Sequence, residues 1–255
     1  MKQWVFQGFR SGSKSTRYPR ADETAPGTTP GLPAQTNDLS TEEGRRLVEV
    51  CPTGAIEFEN GVARVDFGRC VHCFRCVRQI DRPLRWETGY EWASVAANAH
   101  LPAWPKAFSR SLHIRVVDAG DCGACLAEVK QLNNPYYNIH RLGFFLTPTP
   151  RAADILLVVG PVTDSMRKPL QEAYEAMPTP KLVMAVGVCA LTGGVFGPSI
   201  FSGPGVGSVI PVDIEVPGAP PPPLAILHGL LVAAGRKAPT HGSASNSHFA
   251  EEKVS

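Results

Sequence analysis

Lys181-Leu182-Val183-Met184-Ala185-Val186-Gly187-Val188-Cys189 is a short apolar run with β-branched content that ends on a glycine and then a cysteine. Four more runs share its character: His113 to Asp118, Leu142 to Leu146, Asp154 to Val159 and Val212 to Val216. Apolar runs of this length, bounded by turn residues, read as strands. Cys125 to Leu132, Met166 to Met177 and Leu224 to Ala234 read as helices between or after them. Such alternation predicts a parallel α/β sheet with helices on both faces. The loops that leave an open parallel sheet emerge at one carboxyl edge, where ligands of such folds sit. Three of these loops carry chemistry: Cys122-x-x-Cys125 after Asp118, Cys189 after Val186, and Pro217-Gly218-Ala219-Pro220 after Val216. The topology is therefore expected to gather three sequence-distant thiols at one place.

The other four of the seven cysteines lie earlier, as Cys51-Pro52 and Cys70-x-x-Cys73-x-x-Cys76. Three thiolates at triplet spacing let one loop wrap three corners of a 4Fe–4S cube, and a remote Cys-Pro closes the fourth. The pattern looks like a two-cluster ferredoxin with one cluster deleted. Counting back from Cys51 by the C-x2-C-x2-C-x3-C-P rule, the expected ligands are replaced by Thr41, Gly44 and Leu47. Counting forward from Cys76, the fourth is replaced by Ile80, followed by Asp81 rather than proline. One ligand set is thus lost whole and the other kept whole. Zinc is the competing occupant, but its four-cysteine sites usually present two separated pairs. His72 reads as a solvated side chain, since the thiolate set is already full. Around these cysteines, Glu42 to Val50 reads as a helix, and Ala55 to Phe58 with Val62 to Phe67 as a hairpin turning at Asn60-Gly61. Cys70 to Gln79 reads as a tight loop entering a helix, giving a small α+β unit over 41–83.

Composition narrows the rest. With 255 residues, 43% of them hydrophobic, the chain can bury one or two cores. A net charge of +2 offers no pull toward nucleic acid, and no such partner is expected. The longest apolar run, Leu182 to Phe196, is cut by glycines and falls short of the roughly 20 residues that span a bilayer. The N-terminus lacks the apolar stretch of a signal peptide, and reduced cysteines at cluster spacing indicate the cytoplasm. Residues 1–40 read as an extended arm, whose first ten residues (Trp4, Val5, Phe6 and Phe9 with Lys2 and Arg10) form an amphipathic turn or a frayed end. Residues 84–111 read as a linker and 236–255 as a disordered tail. Gly193-Gly194 and Gly203 to Gly207 do not make a nucleotide-binding turn.

Several dispersed motifs carry a resemblance: Asp121-Cys122-Gly123-Ala124-Cys125-x-x-Glu128, Asp154 to Thr163, Gly187-x-Cys189-x-x-x-Gly193-Gly194-x-Phe196, and Val212-Asp213-Ile214-x-Val216-Pro217-Gly218-Ala219-Pro220-Pro221. Together they resemble the small subunit of membrane-bound (group 4) nickel–iron hydrogenases and the related 20 kDa subunit of complex I, over residues 112–235. The N-terminal third, with Ser15 to Pro19, is similar to the ferredoxin-like subunit that accompanies that small subunit. The resemblance implies a flavodoxin-like parallel sheet domain preceded by a small α+β ferredoxin-like domain. It implies that Cys122, Cys125 and Cys189 ligate a proximal cluster and that Glu128 lies near it and the large-subunit interface. The fourth ligand of the family lies in a Pro-Gly-Cys-Pro-Pro turn, where this chain has Ala219. A 3Fe–4S centre, a 4Fe–4S cluster with a non-cysteine or water ligand, or no second cluster are the three outcomes.

The chain is accordingly expected to be an iron–sulfur electron-transfer subunit of an oxidoreductase complex, with no acid–base or nucleophilic machinery of its own. The implied partners are a large hydrogenase-like or complex I 49 kDa-like subunit, membrane-arm subunits and a soluble ferredoxin or other redox subunit. The implied place is peripheral, on the inner face of the cytoplasmic membrane. The rival is a structural or coupling subunit whose electron path is broken at Ala219.

Overall fold

The computed structural model describes residues 3–12, 14–81, 83–99, 101–102, 104 and 110–240. Most of the expected tail therefore lies outside the described residues. The first elements are α1 (Gln3–Ser11), β1 (Leu32–Pro33), α2 (Thr41–Val50), β2 (Ile56–Glu59), β3 (Val62–Val65), α3 (Arg75–Arg78), β4 (Trp86–Glu87) and β5 (Ser94–Val95). Helix α2 starts with a capping box, in which Ser40 Oγ accepts from the Glu43 amide (3.2 Å) and Glu43 Oε2 from the Ser40 amide (2.7 Å). β2 and β3 form the expected antiparallel hairpin. Asn60 and Gly61 both take positive φ, as the tightest hairpin turn requires.

Leu39, Leu47, Ala55, Ile56, Ala63, Val65 and Leu84 make the small core of this unit. The positions where a second ferredoxin cluster would be ligated now serve packing. Leu47 is fully buried, and the missing Cβ of Gly44 leaves room for the Phe58 ring.

The arm differs from its expected form. Residues Gln3–Ser11 are helical, and further on the chain is packed. Thr16 donates its amide to Tyr136 O (2.9 Å), and Tyr18 is fully buried, edge-on to Tyr90. β1 pairs with β4, and Thr36 bridges Ala63. The physical reason is tertiary: an aperiodic stretch has no pattern of its own, yet its tyrosine fills a gap left by other elements.

The large sheet adds β6 (Leu112–Asp118), β7 (Phe144–Leu146), β8 (Ile155–Val159), β9 (Leu182–Val186) and β10 (Ile214–Val216). Its order is β5-β10-β9-β8-β6-β7, with β6 to β10 parallel and β5 antiparallel at the edge. Numbered along the chain, the parallel strands run 2-1-3-4-5, the flavodoxin-like order. All five expected strands are present. β5 arises inside the expected linker, which also buries Tyr90, Trp92 and Ala93. That stretch is thus part of the sheet domain.

Alternation along the central strands sends side chains to two layers. Leu157, Val159, Met184, Val186 and Ile214 pack beneath α4 (Ala124–Gln131) and α7 (Pro223–Ala233). Leu156, Val158, Val183 and Ala185 pack beneath α5 (Asp164–Glu175) and α6 (Val188–Thr192). Every residue of α7 is buried, which explains a helix that is apolar all round. A Cβ on Gly229 would sit 2.9 Å from Met184 Sδ, so this glycine lets α7 close on the sheet. Among the described residues, no helix is long and apolar enough to cross a membrane.

Candidate metal-cluster sites

The first thiol set is built by one turn-rich loop and the end of α2. Asp66 Oδ1 accepts from the Gly68 amide (2.8 Å), and Asp66 O from the Cys70 amide (3.1 Å), which starts the loop. His72 and Phe74 then take left-handed φ on either side of Cys73, unusual for non-glycine residues, and bend the chain back toward α3. Across from them, Ala55 N–H donates to Cys51 Sγ (3.2 Å).

Cys51, Cys70, Cys73 and Cys76 line one cavity with Ile56, Val65, Val71 and Leu84. Burial pushes the Cys70 thiol up to about 12, and the neighbouring Cys76, Cys51 and Cys73 push it the same way. Cys76 is raised by burial first and by Cys73 and Cys51 after it. Four mutually close thiols in apolar surroundings ionise only against a cationic core, which iron supplies. Trp86 lines the same cavity and hydrogen-bonds the Cys76 side chain, an indole N–H contact of the kind that a cluster-ligating sulfur accepts. The donor set thus fits an iron–sulfur group. Among the described residues, no three His, Cys, Asp or Glu side chains are grouped to hold a single metal ion.

His72 is half-buried rather than solvated. Its ring lies edge-on to Trp86 (5.6 Å) and Trp92 (6.3 Å), and burial pulls its pKa down to about 4.

The second set lies where the topology put it, at the carboxyl edge of the sheet. Cys122 is exposed, Cys125 is buried at the start of α4, and Cys189 is half-buried on α6. Burial raises Cys125, and Asp121, Cys189 and Cys122 raise it further. Cys189 is raised by burial, then by Cys122 and Asp121. Three thiols and one carboxylate therefore share a neighbourhood.

Glycines make the room. A Cβ on Gly187 would lie 2.5 Å from Cys125 Sγ, and one on Gly194 2.6 Å from Cys189 Sγ. Both glycines have positive φ, so their missing side chains and their turns serve the same sulfurs. The Pro217-Gly218-Ala219 turn is tied to the start of α6 by Val188 N–H to Gly218 O (2.9 Å). Ala219 sits half-buried in that turn and offers no donor atom. The three-thiol cradle fits an iron–sulfur group with one corner lacking a thiolate.

Glu128, half-buried on α4, has its carboxyl raised by burial and lies near Tyr137. Beyond Gly194 the chain exposes Val195, Phe196, Ile200 and Phe201.

Two contacts join the sites. Thr192 Oγ1, one turn past Cys189, donates to Gly68 O (2.8 Å), two residues before Cys70. Trp92, edge-on to His72, donates its indole N–H to Pro217 O (2.8 Å) in the alanine turn. Sequence reasoning passed over Thr192, Trp92 and the carboxylate of Asp121. Only Asp121 had a signal, as an acid next to Cys122 in a chain short of one cysteine.

A doubly wound α/β domain with three thiols on two loops of its carboxyl edge defines the class: a small redox-type domain that presents cysteines rather than a nucleotide turn. The chain belongs to the family of the 20 kDa subunit of NADH ubiquinone oxidoreductase, which matches residues 122–233. It is 46% identical over 125 residues to an uncharacterised protein of Methanocaldococcus jannaschii, covering 49% of this chain and 84% of that one. It is 43% identical over 128 residues to a probable membrane-bound hydrogenase subunit of Pyrococcus furiosus, covering 50% and 77%. Formate hydrogenlyase subunit 7 of Escherichia coli is 38% identical over 130 residues, so this chain spans 51% of that relative's length. The resemblance expected from the motifs is borne out over the sheet domain, and residues 41–83 lie outside the family match.

Proposed function

We propose that the chain is an electron-transfer subunit of a membrane-associated oxidoreductase complex, similar to membrane-bound hydrogenase, formate hydrogenlyase or NADH-quinone oxidoreductase. Residues Cys51, Cys70, Cys73 and Cys76 hold one 4Fe–4S cluster, and Cys122, Cys125 and Cys189 hold a second. The bound clusters supply one-electron chemistry; the protein supplies ligands, spacing and dielectric. The observation that carries this reading is the Thr192–Gly68 hydrogen bond, which sets the two thiol sets side by side in one chain.

The N-terminal unit receives electrons from a soluble ferredoxin or a neighbouring redox subunit and passes them to the carboxyl-edge site. From there they reach a large catalytic subunit of the hydrogenase or 49 kDa type. Support for its docking surface comes from Phe196, 88% exposed, and Ile200, 86% exposed, on the loop that follows Cys189. Membrane-arm subunits hold the assembly at the inner face of the membrane, and this chain is peripheral to it.

The second reading, a coupling subunit without a complete electron path, is favoured by Ala219 alone. An anaerobic redox titration followed by EPR separates the two. Two centres with distinct midpoint potentials are expected in the unsubstituted protein. A single centre, abolished by Cys73→Ser and indifferent to Cys189→Ser, would leave only the coupling role.

A further inference from the structure

We propose that Asp121 is the fourth ligand of the second cluster, giving through Oδ1 the donor that Ala219 cannot. The inference rests on the reading that Cys122, Cys125 and Cys189 hold a cluster.

One oxygen of this carboxylate is already committed. Oδ2 accepts from the Gly123 amide (2.9 Å) and the Leu126 amide (3.0 Å), which fixes the group at the start of α4. The Asp121 amide is in turn held by Asp118 Oδ1 (2.8 Å). The remaining oxygen, Oδ1, is buried and takes no backbone donor, and the further contact of the carboxylate is with the side chain of Cys125. A thiol is a weak donor, so a buried carboxylate oxygen met by sulfur alone is poorly satisfied until a cation lies beside it. Its surroundings are the thiols: Asp121 acts on both Cys125 and Cys189.

Three thiolates and a carboxylate massed at one place repel one another unless a cation lies among them. Iron meets that need, and a carboxylate carries the same single negative charge as the thiolate it replaces. The net charge of the ligand set is then preserved while one corner changes from sulfur to oxygen. The other acids nearby are placed differently. Glu128 contributes to raising Tyr137, and Asp66 to raising Glu215.

The test uses the full chain purified or reconstituted without oxygen. Iron and sulfide are counted and the oxidised protein is read by EPR and Mössbauer spectroscopy. Asp121→Asn keeps an amide oxygen that can accept the two backbone N–H groups, so α4 keeps its start while the anionic donor is lost. The expected result is a loss of about one iron per chain, from about eight to about seven, and the appearance of an oxidised 3Fe–4S signal. The first cluster's spectrum stays as an internal control. Adding Ala219→Cys to that variant restores the lost iron and removes the signal.

An Asp121→Asn protein with undiminished iron and an unaltered spectrum overturns the ligand assignment and leaves the two-cluster reading intact. About seven irons in the unsubstituted protein would mean an open corner, which also overturns it. About four would remove the second cluster, and this proposal with it.

Discussion

The two cysteine groups offer the same donor atom and are assembled in opposite ways. In the N-terminal unit, one loop and one helix end supply four thiols, and the surrounding core is only seven buried apolar residues. Cys51, Cys70 and Cys76 themselves pack against that core. At the carboxyl edge the thiols come from loops after β6 and β9, held by a sheet whose central strands are wholly buried. The difference teaches which part depends on its ligand. A core that small is marginal by itself, so whatever binds its thiols completes the fold. The sheet domain is self-sufficient, and its site is grafted onto a finished scaffold.

The strongest way to break this contrast is to empty the first site. Cys70→Ser, or anaerobic chelation, is expected to remove most of the roughly 5 kcal/mol that a unit of this size can hold. Hydrogen exchange read by mass spectrometry should then show lost protection in β2 and β3, with β8 and β9 still protected. Equal loss in both regions would mean that they unfold as one. A smaller effect is expected from Gly44→Ala, where the new methyl meets the Phe58 ring. Overpacking costs about 1–3 kcal/mol and the helix gain returns about 1, so a net destabilisation near 1 kcal/mol should appear in denaturant melts of the N-terminal unit.

The join between the regions can be probed more gently. Thr192→Val removes the hydroxyl that reaches Gly68 O and should cost about 1 kcal/mol, seen as faster exchange around Gly68 with both iron centres retained. Glu215 gives the smallest and most specific effect. Burial, with Asp66 adding to it, raises its carboxyl above the ordinary range. The folded state thus binds the proton more tightly than the unfolded one. This contribution is full at acid pH, below the unfolded pKa, and is lost as pH rises through the raised value. Glu215→Gln should therefore stabilise the protein at neutral pH, and the gain should fade on acidification. A gain that is constant with pH would assign it to packing instead.

Legibility followed the same division. The hairpin was readable because Asn60-Gly61 demands one turn, and the parallel strands because each is a continuous apolar run. The first thiol set was readable because its ligands are local. β5 was not, since two residues carry no period and pair only because β10 leaves a free edge. The packing of the arm at Tyr18 and the burial of His72 are illegible for a related reason: what covers them comes from distant stretches, Tyr90 in one case and Trp86 with Trp92 in the other. Asp121 is legible only as part of a motif, while its meaning lies in an oxygen that the folded chain buries beside the thiols.

Iron and acid-labile sulfide per chain, measured on protein kept free of oxygen from cell to cuvette, tests the account most directly. About eight of each is the predicted value, four held by each set of ligands. Colourless protein carrying zinc in place of iron would contradict it outright.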